Sequence, residues 1–349
     1  MPLSEVWLSI VVIGRNEEEH LPGLFRSLPR AEGIEWIYID SRSDDQSVTR
    51  ALDYGARVYL VDENSVYAPG TGRYIGTLEA RGDWILYLDG DMTLRNEFVL
   101  FIEKLRAATI MNVENEEGPA DLAKSRGRLP VEIAAFVGRT RNIMLNKEGE
   151  VTAVRDYAVL SAREMGAAAE WGKPAAYHGG AVFYRRARVL EAGNWNPALY
   201  QLEEIDLFSR VRTAGGILRA IDLPMVDHYT PYLKISERLL LNFLPQWQGK
   251  KLYGAGQVVA ARLLEGGLLS FICIYPYPFI VFIGLILSPL FFFVWPPLPL
   301  LVNLSIALWI GLTKKWYFYP VYLGNLLQIF RGLWHYRRFT PTYKEVKAR

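Results

Sequence analysis

EARGDWILYLDGDMTL, from Glu79 to Leu94, decides the fold. Trp84 to Leu88 is an unbroken apolar run of strand-forming residues, the pattern of a parallel strand covered on both faces. Gly82-Asp83 opens it and Asp89-Gly90-Asp91 closes it. Side chains two apart on an extended backbone share a side, so Asp89 and Asp91 can face one ligand. Gly90 lets that ligand approach the main chain. Two carboxylates at the carboxyl end of a central strand, where α/β folds bind ligands, suit a divalent cation such as Mg²⁺ or Mn²⁺. An ordinary acidic turn would read the same way in isolation.

Outward from this stretch, the chain repeats a pattern of apolar strand, polar loop and helix. Val6 to Ile13 reads as a buried strand ending in Gly14-Arg15-Asn16-Glu17, with Asn16 placed to cap the next helix. Glu18 and Glu19 then suit the helix dipole. Leu21, Leu24, Phe25 and Leu28 lie at helical spacing before Pro29. Glu35 to Asp40 is a second strand, followed by a helix from Ser47 to Tyr54 and a third strand from Arg57 to Val61. Such βα units imply a doubly wound, mostly parallel sheet. Gly70 to Gly76 is glycine-rich. It lacks the Gly-Lys-Ser/Thr of a P-loop, and Ile75 stands where a dinucleotide fingerprint needs its third glycine.

Beyond the central strand, Phe98 to Ile110 is an amphipathic helix and Asn112 to Pro130 a solvated loop. Val131 to Val137 is another strand. Residues 146–177 show little periodicity and suggest a mobile segment. Gly179-Gly180 before a strand suits close approach to a ligand. Glu203-Glu204 opens a helix that stops near Gly215-Gly216. Ile217 to Ile221 is a strand, and His228 lies beyond it, where a third metal ligand is expected.

The 349 residues carry a net charge of only +2, which gives no bulk basic character for nucleic acid. Leu268 to Thr313 contains no charged residue or histidine, a length of roughly two membrane crossings at ~20 residues each. Pro296-Pro297 divides it into spans at Ser270–Trp295 and Leu298–Leu312. The amino terminus does not read as a signal peptide. Cys273 is the single cysteine, so no disulfide forms within the chain. Lys314-Lys315 and Arg337-Arg338 follow the apolar stretch, so the positive-inside rule puts the soluble part and the tail both on the cytoplasmic side of the plasma (inner) membrane. Trp316 to Tyr336 reads as an interfacial helix or a third span. The expected organisation is a soluble domain over residues 1–234, interfacial helices over 235–267, transmembrane helices over 268–336 and a basic tail over 337–349.

Together these motifs resemble the family 2 glycosyltransferases of the GT-A fold over about residues 6 to 230. Asn16-Glu17-Glu18 is similar to their opening motif, and Asp40 to Asp45 to the segment that reads the nucleotide. Arg73 to Asp91 resembles the segment ending in the metal-binding DxD. Glu203-Glu204-Ile205-Asp206-Leu207 resembles the acidic motif with the catalytic base, but has Glu-Glu where that motif usually has Glu-Asp. The resemblance implies an inverting transfer from a nucleotide-diphosphate sugar. Its cation, Mn²⁺ or Mg²⁺, would be held by Asp89, Asp91 and His228. Glu17, Asp40 and Arg73 would bind the donor, and Glu204 or Glu203 would be the base. A membrane-tethered transferase implies a polyprenyl phosphate or lipid-linked glycan as acceptor, with Arg185, Arg186, Arg210, Lys250 and Lys251 as candidates to hold a phosphate. A nucleotidyltransferase on a related fold and an inactive nucleotide-sugar-binding membrane scaffold are the alternatives. No Gln-x-x-Arg-Trp motif of processive synthases is present.

Overall fold

The computed structural model describes residues 6–114, 129–158, 171–175, 179–234, 237, 254–313, 334, 336 and 339–347. The chain divides into two units, one of residues 1–197, 210–232 and 339–349, the other of 198–209 and 233–338.

In the first unit the apolar runs become the middle of one sheet. β1 (Leu8–Gly14) is buried up to its last residue. β2 (Ile34–Asp40) and β4 (Trp84–Asp89) flank it, both parallel, and β3 (Arg57–Val61) lies parallel to β2. Helices α1 (Leu21–Ser27), α2 (Ser47–Asp53) and α3 (Pro69–Glu79) make the crossovers. This half is the doubly wound arrangement expected from the sequence. Past β4 the sheet becomes mixed. β9 (Val182–Arg185) is antiparallel to β4 and to β6 (Ile133–Leu145). β6 runs parallel to β10 (Ile217–Pro231). β10 also pairs antiparallel with β5 (Met92–Leu94) and with β8 (Lys173–Pro174). α4 (Asn96–Glu114) follows β5 and packs on β10.

Several local expectations change. Asn16 does not cap α1. It has a left-handed backbone (φ 59°), and its Oδ1 accepts from Asp44 N at 3.0 Å. Glu18 serves the next helix instead, its Oε2 accepting from Gln46 N at 2.9 Å. The glycine-rich stretch is helical. A Cβ on Gly76 would stand 2.2 Å from Val11 Cγ1, and one on Gly72 2.9 Å from Ile13 Cγ2. These glycines exist so that α3 can lie against β1. Part of the segment expected to be mobile is a strand: β7 (Val151–Tyr157) pairs with β6. Nearly every β7 position is exposed, so no apolar alternation marks it. β10 continues through Pro224, where its register with β6 shifts, as suits a proline in a bulge.

The tail also departs from expectation. Tyr343–Val346 forms β11, antiparallel to β3 at the edge of the sheet. Asp62 N donates to Thr342 O at 2.9 Å, and Thr342 N to Ser65 Oγ at 2.8 Å.

In the second unit, the expected span at Ser270–Trp295 is two helices, α8 (Leu268–Ile274) and α9 (Tyr277–Val294). Pro276, which lacks the N–H a continuous helix needs, sits at the break. α10 (Leu298–Thr313) follows. α9 and α10 pack closely. A Cβ on Gly284 would meet Ile306 Cδ1 at 2.7 Å, and Asn303 Nδ2 donates to Ser288 Oγ at 3.0 Å. α9 alone has the length and apolarity of a membrane crossing among the described residues. The interfacial helix expected over 235–267 is described from Gly254, as α7 (Gly254–Glu265). It buries Val258, Val259 and Ala261 within this unit and leaves Leu263 and Leu264 exposed. Its Arg262 Nε lies 3.0 Å from Asp206 Oδ1, both buried. Arg262, one of the charges of this stretch, is thus paired inside the unit. Residues 314–333, including most of the candidate third span, lie outside the described residues.

The tight seat of α3 makes a prediction. Gly76→Val should destabilise the fold by ~1–3 kcal/mol through overpacking against Val11, read as a lower urea midpoint. An unchanged midpoint would show that α3 does not depend on this contact.

Candidate active site

The carboxyl ends of β1 and β4 gather five acidic and imidazole groups. Gly90 N donates to Ile13 O at 2.8 Å, and Tyr229 N to Asp91 O at 2.9 Å. These bonds suspend the Asp-Gly-Asp turn between β1 and β10. Opposite Met92 in the β10–β5 register stands His228, whose Nε2 lies 3.2 Å from Asp91 Oδ2. Its Nδ1 faces Asn142 Oδ1 at 3.1 Å. Both ring nitrogens thus meet acceptor oxygens. Burial disfavours the imidazolium, but the Asp91 bond and the charges of Asp91, Asp89 and Glu17 prevail and raise the His228 pKa above its ordinary 6.5.

Glu17 closes the cluster. A Cβ on Gly90 would stand 2.7 Å from Glu17 Cγ, so the side chain lies directly over that glycine. Burial pushes the Glu17 carboxyl up; a 3.0 Å bond to His20 Nδ1 pulls it back, and Asp91 and Asp89 raise it further. His20, raised in turn chiefly by its bond to Glu17, stacks on Tyr229 at 5.8 Å between ring centroids.

Asp89 and Asp91 are not equivalent. Asp89 Oδ1 accepts from Arg73 Nη2 at 2.7 Å, and Arg73 is 1% exposed. The guanidinium also lies over the Trp195 ring at 5.2 Å. Arg73, one of the residues expected to bind the donor, is a buried partner that holds Asp89 in place. One oxygen of the Asp89 carboxylate is therefore already committed. A Cβ on Gly180 would come 2.5 Å from Asp89 Oδ2, so only glycine fits there. Asp91 differs: its Oδ1 is buried and has no hydrogen-bond partner among the described residues. That oxygen and His228 Nε2 fit a divalent cation, with Nδ1–H held by Asn142 as imidazole ligands commonly are. No group of three His, Cys, Asp or Glu able to hold a metal occurs among the described residues. Mg²⁺-type sites often use one or two carboxylates and complete the shell with substrate phosphates.

Asp40 lies two strands away, at the end of β2. It is buried, accepting from Ser43 N at 2.8 Å and Ser43 Oγ at 2.5 Å. It borders a cavity of about 390 Å³ whose wall includes Val48, Leu60 and Val61.

The basic candidates are placed elsewhere. Arg185 pairs with Trp84 at the amino end of β4, the end of the strand opposite Asp89. Its Nε donates to Ile133 O at 2.9 Å and its guanidinium covers the Trp84 ring. Arg186 Nε donates to Thr77 O at 3.3 Å. Arg210 donates to Ala192 O and, at 2.6 Å, to Asn194 O, closing the end of α5 (Arg186–Glu191). These three arginines serve main-chain carbonyls rather than the Asp-Gly-Asp turn. Lys250 and Lys251 lie outside the described residues. Glu203 and Glu204 open α6 (Glu203–Thr213) in the second unit, Glu203 buried and Glu204 half-buried. His20, Asn142 and the steric role of Gly180 escaped sequence reasoning. Only the paired glycines before β9 carried a signal.

The two raised histidines predict a pH dependence. A group whose pKa rises on folding stabilises fully below its unfolded value and loses that contribution as pH passes the folded value. The metal-free protein should therefore melt at lower temperature as pH rises from about 6 to about 8, and His228→Asn should flatten part of the slope. Identical slopes in wild type and variant would contradict the His228–Asp91 interaction.

Residues 9–141 match the family model described as glycosyl transferase family 2. The 4,4'-diaponeurosporenoate glycosyltransferase of Staphylococcus haemolyticus (strain JCSC1435) is 32% identical over 98 residues, 27% of this chain. That match spans about a quarter (26%) of the relative's length. Among solved structures, the mannosyltransferase PcManGT from Pyrobaculum calidifontis, in complex with GDP-Man and Mn²⁺, is similar at 13% identity and TM-score 0.48, covering 94% of this chain and 87% of that one. Glucosyl-3-phosphoglycerate synthase from Mycobacterium tuberculosis, with Mn²⁺, UDP and its product, is similar at 19% identity and TM-score 0.44, over 74% and 79% of the two chains. S. aureus TarS is similar at 14% identity and TM-score 0.40, over 74% of this chain and 43% of TarS. From β1 through the Asp-Gly-Asp turn and into β6, this chain is similar to the glycosyl transferase family 2 domain.

Proposed function

We propose that the chain transfers a sugar from a nucleoside-diphosphate sugar to a membrane-associated acceptor, a polyprenyl phosphate or lipid-linked glycan, with inversion. The observation that carries this reading is the unpartnered, buried Asp91 Oδ1 beside His228, in a family 2 domain. Asp91 and His228 would hold Mn²⁺ or Mg²⁺, with Asp89 beside them. The bound cation supplies positive charge to the departing diphosphate. Arg73 keeps Asp89 fixed, and Asp40 lies beside the cavity suited to the nucleoside. Glu204 takes the proton from an acceptor hydroxyl. That oxygen attacks the anomeric carbon from the face opposite the leaving group, and the nucleoside diphosphate departs with the bonding electrons. Of the adjacent pair, Glu204 is the more exposed to solvent, which favours it over Glu203.

The membrane part rests on α9 and α10. Phe293, Val294 and Leu312 are each more than three-quarters exposed, an apolar surface suited to lipid. β11 adds a constraint. Because Tyr343–Val346 is hydrogen-bonded to β3, the segment between must re-emerge on the side from which it entered, so its crossings are even in number. The catalytic domain and the tail are then on one side of the membrane, which the positive-inside rule makes the cytoplasmic side.

Two experiments test this. With UDP-, GDP- and dTDP-sugars and Mn²⁺, the wild type should release a nucleoside diphosphate. Asp91→Asn should abolish release, and Glu204→Gln should slow a hydroxyl acceptor ~10²-fold or more. Pyrophosphate release would instead mean nucleotidyl transfer, and no release with any donor would favour a binding scaffold. For topology, Pro297→Cys and Glu345→Cys are made separately on a Cys273→Ser background. An impermeant thiol reagent should label position 297 in intact cells and position 345 only after lysis. Labelling of position 345 in intact cells would refute the even count.

A further inference from the structure

We infer that the carboxy-terminal strand is part of the donor site and that Lys344 binds the base of the nucleotide. The inference rests on the glycosyltransferase reading above. The cavity of about 390 Å³ at the ends of β2 and β3 is lined by Asp40, Leu60 and Val61, and also by Lys344. Lys344 stands opposite Leu60 in the β11–β3 register. It is exposed, and among the described residues no hydrogen bond or ion pair engages its ammonium group.

The same tail shapes the cavity's rim. Thr342 bonds to Asp62 and Ser65 through its main chain. Arg42 grips that loop from the other side, donating to the carbonyls of Asp62 and, at 2.5 Å, Ser65. Asp62 and Arg42 both line the cavity. β11 thus secures the loop and supplies a cation to the space it encloses.

The position of the cavity selects the part of the ligand. The sheet order β11-β3-β2-β1-β4 puts β3 three strands from β4, ~14 Å at the usual strand spacing. Asp91 follows β4, where the diphosphate belongs. The cavity therefore takes the opposite end of the donor. Its aliphatic walls suit a flat base, and the Lys344 ammonium can donate to a ring carbonyl oxygen.

The test is calorimetry on the full-length protein with Mn²⁺, using UDP, GDP, dTDP and inorganic pyrophosphate as probes. Lys344→Ala should weaken the preferred nucleotide about tenfold, leave pyrophosphate binding unchanged and preserve the melting temperature. Lys344→Arg should restore most of the affinity, and Lys347→Ala should match wild type. Wild-type nucleotide affinity in Lys344→Ala would overturn the inference while leaving the glycosyltransferase reading intact. Equal weakening of pyrophosphate would overturn the assignment to the base. A wild-type protein that binds no nucleotide would remove both.

Discussion

The ion pair between the buried Arg73 and the half-buried Asp89 holds the site together. A guanidinium that is 1% exposed is strongly destabilising without its carboxylate, because it would remain desolvated and uncompensated. The pair forms only if α3 lies close against β1, which the absence of side chains at Gly72 and Gly76 permits. It also needs Gly180, where any Cβ would collide with Asp89. Three separate stretches of sequence are thus committed to fixing one carboxylate at the end of β4.

That commitment divides the labour between the two aspartates. Burial, and then the neighbouring aspartates, raise the proton affinity of Glu17, and burial with Asp91 raises that of Asp89. Arg73 absorbs one charge, His20 and His228 compensate the others, and a single oxygen of Asp91 is left unsatisfied. On the proposed reading, a proton on His228 and a cation at Asp91 would be alternatives. Deprotonating Nε2 would expose its lone pair beside Asp91 Oδ1, which has no hydrogen-bond partner among the described residues. In this way a cluster that is costly in the empty protein is suited to a charged ligand.

The second unit follows a different rule. Its apolar helices are joined by a few polar and small-residue contacts: Asn303 to Ser288, and Gly284 against Ile306. Where α7 carries a charge inward, Arg262 meets Asp206, and neither is left alone. The chain then returns to the first unit, and β11 covers the edge of β3. An uncovered edge would present unpaired main-chain groups, so the tail has a structural reason to be there before any functional one.

The sequence by itself determined the parts governed by local pattern. The strand from Trp84 to Asp89, the parallel strands around β1, the Asp-Gly-Asp turn, the helix from Glu203 and the apolar segment after Leu268 follow from residue type and spacing. These signals act over a few residues, and burial on one or both faces leaves a period that can be read. Tertiary structure decided which polar groups meet. Arg185, Arg186 and Arg210 are cationic in any reading of the chain, but register and packing placed them on carbonyls of Ile133, Thr77 and Asn194. Asn16 has a capping residue's chemistry, but Asp44, 28 positions later, claims its side chain. β7 left no pattern because it has no buried face, and β11 pairs with a strand more than 280 residues earlier. Such partners are fixed by the geometry of the sheet, which no window of neighbouring residues contains.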